Sequence, residues 1–309
     1  MKPNPENSAV LTLRDLETWT FPGTALAVVG HPIRHSLSPL MHNTALAALA
    51  DRDPRCADWQ YFRFDVPPAD LARALPLLHA AGFHGLNLTV PHKVLAFTQV
   101  AAVDDAARPV GAVNTLLRRP DGWKGFNTDG YGLATAVQET LGRDLANSPV
   151  VLLGAGGAAR GAAVECLQRR CASLWIANRT AQNLTALLGA LRPVAGDIPL
   201  HGFSPAQIPA GLPAGAIVIN ATSAGLHADD PPPVDLAVLP RPACVFDMIY
   251  NPPLTPLLAA ARDLGLPHAN GLAMLVHQGA KALEIWSGVP AAQTAPSMAA
   301  ALATATQPA

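Results

Sequence analysis

The chain has little of what marks several protein classes. It has only four cysteines in 309 residues. Cys56, Cys166, Cys171 and Cys244 form no C-x-x-C pair and have no metal spacing, so neither a disulfide framework nor a zinc site is expected, and a reducing cytosol suits the chain. Charge is scarce and balanced: Lys plus Arg number 21, Asp plus Glu 22, together 14% of the residues. No excess of one sign points to nucleic acid or to an anionic membrane. The opening MKPNPENSAV has no apolar core of signal-peptide length. The longest uncharged run, 198–228, is broken by Pro and Gly and is no membrane helix. The ten histidines do not pair with acids at helical spacing, so no metal is expected. What the chain does have is length for two domains and 30 prolines, which suggests a compact, loop-punctuated soluble protein.

The stretch 150–161, VVLLGAGGAARG, organises the rest. Val150 to Leu153 reads as a short buried strand, Gly154 to Ala159 as a turn and 160–170 as a helix. This is the G-x-G-x-x-A form of the dinucleotide fingerprint. Its first glycine makes the turn, the second lets backbone approach a pyrophosphate, and Ala159 lets helix pack on strand. The phosphates would lie at the helix N-terminus, where free N–H groups and the dipole favour an anion. A second strand, 173–177, ends at Asn178-Arg179-Thr180. An enzyme of the NAD type places an acid there for the ribose hydroxyls, whereas an Arg suits a 2′-phosphate. NADP(H) is therefore the expected cofactor.

Residues 1–22 read as a polar, Pro-containing extension. Strands are predicted at 24–29, 59–66 and 85–88, with helices over 38–50 and 68–81; Ser38 is expected as an N-cap with Pro39 at N1, and Pro76 as a kink. Residues 89–93 lead into another helix. Segments 112–118 and 123–126 flank a hairpin turn at 120–122, and Asp129 opens a helix to Leu141. Beyond the fingerprint, strands are predicted at 216–219 and 243–248, and helices at 255–264 and 272–286, before an Ala-rich tail. Alternating strands and helices imply two open, mainly parallel α/β sheets: a catalytic domain over 1–128, to which the chain returns from 272 to 309, and a Rossmann domain over 129–271. Ligands of such sheets bind beyond the carboxyl ends of the strands, so chemistry is sought in the loops there.

Lys93 lies just past the third strand and Asp129 at the start of the helix after the hairpin. A hydride delivered to a carbonyl leaves an oxygen that needs a proton, and the reverse reaction needs a base. Lys93 near Asp129 could supply both; alternatively Lys93 polarises the oxygen and Asp129 orients a hydroxyl. The bland reading of each alone is a solvated charge and a helix-dipole partner. Ser36 and Ser38, Asn87 and Thr89, and Asn114 and Thr115 all follow or interrupt strands of the first half. Converging uncharged donors and acceptors suit a polyhydroxylated small molecule, although capping and turn chemistry use the same residue types. Gln278, amid the apolar 272–276 stretch, requires a partner or solvent.

The segments GHPIRHSLSP (30–39), NLTVPHK (87–93), GAVNT (111–115), GFNTDG (125–130), GAGGAAR (154–160), NRT (178–180), NATS (220–223), DMIYNP (247–252) and MLVHQGA (274–280) resemble shikimate dehydrogenase, in family order and spacing, over about residues 24–290. Glutamyl-tRNA reductase is similar only in the glycine turn and NRT. The resemblance implies reversible reduction of 3-dehydroshikimate to shikimate with NADPH on the route to chorismate. It casts Lys93 as the acid/base residue and Asp129 as its partner on the substrate. It places Ser36, Ser38, Asn87, Thr89, Asn114, Tyr250 and Gln278 on the substrate's carboxylate and hydroxyls. Gly154, Ala155, Gly156, Gly157, Ala158, Asn178, Arg179, Thr180 and position 183 would face the adenosine end. Thr222, Ser223, Met248 and Gly271 would lie near the ribose or nicotinamide. Asp105 also falls at a cofactor-linked position, although an acid starting a helix would look the same.

Three residues depart from the family pattern. Leu88 replaces Val. Asn183 stands where a second phosphate-binding Arg is frequent, so NADP preference rests more heavily on Arg179. Asn270 and Ala273 replace Asp and Gly around Gly271. The rival readings are a quinate/shikimate dehydrogenase using NAD or NADP, and a non-catalytic regulator that binds NADPH or shikimate. A cytoplasmic monomer or homodimer with small-molecule ligands, and with neither nucleic acid nor membrane as partner, is expected.

Overall fold

The computed structural model describes residues 9–89, 91–227 and 229–305. It divides into two units: residues up to Thr128 together with those from Val276 onward, and Asp129–Leu275.

In the first unit the strands are β1 (Thr24–Gly30), β2 (Trp59–Asp65), β3 (Gly85–Leu88), β4 (Ala102–Val103), β5 (Thr115–Arg119) and β6 (Gly122–Phe126), with helices α1 (Ser38–Ala50), α2 (Leu71–Ala80) and the single turn α3 (His92–Leu95) between them. Their order is β2-β1-β3-β5-β6-β4. β1 runs parallel to β2 and β3, while β3–β5 and β5–β6 are antiparallel. Register places Arg63 beside Val28, Val28 beside Asn87 and Asn87 beside Thr115. In-register residues share a sheet face, so this row brings a polar group from three strands to one face. The opposite face is the core, where Phe64, Phe83, Leu86, Leu116 and Trp123 pack against Leu71, Leu75 and Leu78 of α2. α2 runs through Pro76 unbroken.

Residues 9–22 are not an open extension; residues 1–8 of that segment lie outside the described residues. Leu11 donates its N–H to the Arg63 carbonyl and accepts from Asp65 N–H, which covers the free edge of β2. Trp19 then stacks edge-on to Phe62, with ring centres 4.9 Å apart, and lies 4.9 Å from the ring of Phe83. Apolar side chains in a polar stretch decide its fate, and a covered edge strand is protected from mispairing.

The second unit holds α4 (Asp129–Leu141), β7 (Pro149–Leu153), α5 (Gly157–Gln168), β8 (Ser173–Ala177), α6 (Ala181–Ala195), β9 (Leu200–Phe203), β10 (Ile217–Asn220), β11 (Cys244–Asp247), α7 (Pro256–Asp263) and β12 (His268–Ala269). The sheet is parallel throughout, in the order β12-β11-β10-β7-β8-β9. This is the doubly wound Rossmann order, and the strand order reverses between β7 and β10, where a dinucleotide binds in such sheets. α6 and β9 went unpredicted. β9 is an exposed edge strand with only Phe203 buried, and α6 carries Gly189 and Pro193 that hide its stripe of Leu187, Leu191 and Ala195.

α8 (Leu272–Ser287) passes from the second unit into the first, and α9 (Ala291–Ala305) follows it. The Ala-rich tail is thus a helix rather than loose chain, with residues 306–309 outside the described residues. Ala291, Thr294, Ala295, Met298 and Leu302 bury one helical stripe, and α9 packs on α1. Ala allows close helix approach at no propensity cost. Gly85 lies under Trp286 of α8: a Cβ there would stand 2.2 Å from the indole nitrogen, and that N–H donates to the Leu116 carbonyl at 2.9 Å.

Candidate active site

The first unit gathers a continuous hydrogen-bonded row. Ser38 does not cap its helix: Leu37 is the N-cap, and no side chain caps α1. Pro39 at the second position removes an N–H that would need a partner. The Ser38 hydroxyl instead bonds the Tyr61 hydroxyl, which donates to Asn87 Oδ1 at 2.7 Å. Asn87 Nδ2 donates to the Asn114 carbonyl and to Thr115 Oγ1, both at 3.1 Å. Thr115 donates in turn to Asn114 Oδ1 at 3.0 Å. Asn114 Nδ2 reaches Thr128 Oγ1 at 3.0 Å and Gln278 Oε1 at 3.4 Å. Ser36 accepts from the Ser38 N–H at 3.3 Å. Four positions expected on substrate (Ser38, Asn87, Asn114 and Gln278) therefore belong to one polar chain, with Ser36 attached through backbone.

Tyr61 is the residue that sequence reasoning missed. It is fully buried, and burial raises its pKa well above the usual phenol value, so the hydroxyl keeps its proton and donates. Asn43 grips the Tyr61 backbone from both sides, accepting its N–H at 2.8 Å and donating to its carbonyl at 3.0 Å. The available signal was a hydroxyl-bearing aromatic on an inward position of an alternating strand.

Lys93 lies in α3, half-buried, and its carbonyl accepts the Val113 N–H at 2.9 Å. That bond fixes α3 against the segment leading into Asn114. Thr89 donates its N–H to Val29, and its carbonyl receives the His92 N–H. Val90, between Thr89 and α3, lies outside the described residues. His92 is buried, with Nε2 on the Val66 carbonyl at 2.8 Å. Asp105 starts no helix. It sits on a turn of the first unit, its side chain 98% exposed and paired with Arg108 at 3.0 Å.

In the second unit, Gly154 takes φ +115°, and a Cβ there would stand 3.1 Å from the Ala221 carbonyl oxygen. Both backbone and space therefore demand glycine where the ends of β7 and β10 meet. α5 begins at Gly157, three residues before the expected start, so the fingerprint glycines form its N-cap and first turn. At Gly156 and Gly157 a Cβ would meet nothing within 4 Å. Open space before unpaired N–H groups at the start of a 12-residue helix fits a pyrophosphate.

The Asn178 side chain donates to the Thr180 carbonyl at 2.9 Å, closing the turn after β8, and Arg179, Thr180 and Asn183 present exposed side chains. Beyond β10, Thr222 donates to Asn220 Oδ1 at 2.7 Å, and Asn220 Nδ2 donates to Asp247 Oδ1 at 3.0 Å. Asp247 is fully buried; burial raises its pKa, and hydrogen bonds from Thr255, Ile249 N–H and Asn220 oppose that rise. This Asn220–Asp247–Thr255 cluster, unpredicted, ties together the ends of β10 and β11 from which Thr222 and Met248 project. A polar residue closing each apolar strand, IVIN and CVFD, was its signal. Gly271 packs so close that a Cβ would stand 2.2 Å from the Met248 carbonyl oxygen. Tyr250 is largely buried, which raises its pKa. Asp129 opens α4, half-buried. Ser223 is exposed. Among the described residues no cluster of His, Cys, Asp or Glu could hold a metal.

A Rossmann sheet with a glycine-lined nucleotide turn, together with a polar row across one face of a second sheet, defines a dinucleotide-dependent α/β oxidoreductase. Residues 28–116 match the family model of the shikimate dehydrogenase substrate-binding domain, and residues 271–302 that of the shikimate 5'-dehydrogenase C-terminal domain. The shikimate dehydrogenase (NADP(+)) of Moorella thermoacetica is 42% identical over 269 residues, covering 85% of this chain and 88% of the relative. A crystal structure of shikimate dehydrogenase in complex with NADP+ superposes with TM-score 0.79 at 31% identity, covering 98% of this chain and 100% of that one. The Thermus thermophilus enzyme in complex with NADP(H) and shikimate gives 0.75 at 33% identity, covering 90% and 99%. The chain belongs to the shikimate dehydrogenase family.

Proposed function

We propose that this chain catalyses the reversible, NADP(H)-dependent interconversion of 3-dehydroshikimate and shikimate, a step toward chorismate and the aromatic amino acids. The observation that carries the reading is that one chain holds both the polar row, in the first unit, and the glycine turn with exposed Arg179, in the second, and belongs to a family whose relatives are named NADP+-dependent shikimate dehydrogenases. NADPH, when bound, supplies the hydride. Lys93 gives a proton to the carbonyl oxygen during reduction and takes it back during oxidation. Asp129 accepts from a ring hydroxyl of the substrate. Ser36, Ser38, Asn87, Thr89, Asn114, Tyr250 and Gln278 hold the carboxylate and remaining hydroxyls, with Ser38, Asn87, Asn114 and Gln278 oriented beforehand by the hydrogen-bonded row.

On this reading most substrate-holding residues belong to the first unit, Asp129 and Tyr250 to the second, and the nucleotide turn also to the second. Gly154 to Ala158 receive the pyrophosphate, Asn178 to Thr180 with Asn183 face the adenosine phosphate, and Thr222, Ser223, Met248 and Gly271 border the nicotinamide ribose. Asp105 remains a proposed cofactor-linked position. The four cysteines are buried thiols, which supports a cytoplasmic enzyme, and no helix among the described residues is long and apolar enough to cross a membrane. The expected assembly is a monomer or homodimer. Spectrophotometry at the reduced-nicotinamide band with shikimate and NADP+ tests the activity, and sedimentation tests the assembly.

A further inference from the structure

Bonded to the loop that carries the two serines of the first unit lies a buried charge that no step above uses. Arg63, on β2, is 9% exposed. One guanidinium nitrogen bonds the Arg34 carbonyl, inside the loop that carries Ser36 and Ser38. Its Nε is buried with no hydrogen-bond partner. Among the described residues no carboxylate forms an ion pair with it: Asp65, two residues along the strand, is taken by His31 at 2.6 Å. Burial alone lowers its pKa, as expected of a cation with no anion beside it. A desolvated guanidinium with one neutral acceptor is costly, and proteins keep such a group where an anion will complete it. The register shows where that anion would come. Arg63, Val28 and Asn87 lie in one row across β2, β1 and β3, so Arg63 shares a face with the polar row and with the Ser38–Tyr61–Asn87 chain.

We propose that Arg63 is the fixed positive charge that binds the carboxylate of the substrate, acting together with the neutral hydroxyls of Ser36 and Ser38 and setting the site's preference for an anionic ring acid over its neutral analogues. The inference rests on the substrate reading given above and deepens it. Uncharged hydroxyls favour a carboxylate over an ester only through stronger hydrogen bonds to the charged oxygens, whereas a buried cation adds a full charge–charge attraction that the ester lacks. A charge near, but not fully walled from, solvent contributes roughly 10- to 100-fold in affinity.

Dissociation constants of shikimate and of its neutral methyl ester are measured for the unaltered protein, Arg63→Gln and Arg63→Lys, alongside steady-state kinetics. In Arg63→Gln the affinity for shikimate is expected to fall about 10- to 100-fold while that for the ester changes less than about threefold. The loss falls on KM for shikimate far more than on kcat, and KM for NADP+ stays put. Arg63→Lys, which keeps the charge, is expected to hold the acid-to-ester ratio within about threefold of the unaltered protein. Equal weakening of both ligands in Arg63→Gln would reduce Arg63 to a prop of the 31–37 loop and overturn the proposal, as would no change in either. If Arg63→Gln fails to fold, Arg63→Lys decides: a folded variant that loses the acid-to-ester ratio contradicts a charge-based role. Unaltered protein that neither binds nor turns over shikimate would sink the substrate reading itself, and this inference with it.

Discussion

A few side chains owe their chemistry to their immediate neighbours. Lys93 stands on a single helical turn whose backbone is tied to Val113, so its position depends on the fold rather than on its own side chain. Lys93→Ala is therefore expected to fold normally, to bind shikimate within a few-fold of the unaltered protein, and to lose ~10²–10⁴ in kcat. Near-normal turnover in that variant would remove Lys93 from the chemistry. Asp129→Asn is expected to raise KM and lower kcat together, since it touches a substrate hydroxyl. Arg179 is exposed on the turn after β8, where a guanidinium can meet two oxygens of a 2′-phosphate. Such bonds contribute about 1.5–3 kcal/mol, or roughly ten- to hundred-fold. Arg179→Ala is expected to raise KM for NADPH by that factor and leave NADH almost untouched; Asn183→Arg is expected to widen the preference. Equal losses for both cofactors in Arg179→Ala would make the residue a structural part of the turn.

At the scale of elements, two glycines of the second unit separate binding from folding. A Cβ on Gly156 would meet nothing within 4 Å, and its φ of −88° suits any residue. Gly156→Ala is expected to unfold in urea like the parent while its KM for NADP+ rises, because the methyl occupies space left for phosphate. Gly271 is the opposite case: its Cβ would press on a backbone carbonyl 2.2 Å away, which cannot swing aside. Gly271→Ala is expected to cost about 1–3 kcal/mol of stability by overpacking, read from the same urea curves. If the two variants exchanged behaviours, the assignment of the glycine turn would be wrong.

The elements also show what a sequence can and cannot reveal. The strands from 24, 59, 85 and 173 were legible because short apolar or aromatic runs are followed within three residues by Gly, Asn or Pro. α6, β9 and α9 were not. A Gly and a Pro interrupt the apolar stripe of α6, β9 buries one residue in four, and an Ala-rich helix shows its stripe only through Met298 and Leu302. At the site, Ser36, Ser38, Asn87 and Asn114 stood out as polar residues at strand ends. Tyr61 and Arg63 did not, because each sits on an inward position of a strand and gains meaning only from the register with β1 and β3. Ser38 beside Pro39 read as a cap, since sequence cannot show that its hydroxyl is claimed by a strand 23 positions away.

For the molecule as a whole, acid lability has a specific source. His42 on α1 is fully buried, stacked on Tyr61 with ring centres 4.2 Å apart and planes at 2°, and neither ring nitrogen has a partner. Burial pulls its pKa from 6.5 down to about 3. The unfolded chain thus binds a proton between those values that the folded protein refuses, so this contribution to stability is complete above pH 6.5 and is lost as pH falls toward 3. Linkage puts the loss between pH 7 and pH 5 at about 2 kcal/mol. His42→Phe keeps the stack and removes the titration. It is expected to flatten the pH dependence of unfolding free energy by that amount, and an unchanged slope would mean that His42 is not buried as a neutral ring.

The proposed activity requires one chain to hold both an NADP(H) site and a site for a polyhydroxylated ring acid. Its most direct measurement is the initial rate of nicotinamide reduction with shikimate and quinate, each offered against NADP+ and NAD+. Rapid reduction of NADP+ by shikimate is expected, with kcat/KM at least about tenfold lower when NAD+ replaces NADP+ and strongly reduced when quinate replaces shikimate. Comparable rates on quinate, a preference for NAD+, or no turnover of shikimate with either cofactor would contradict it.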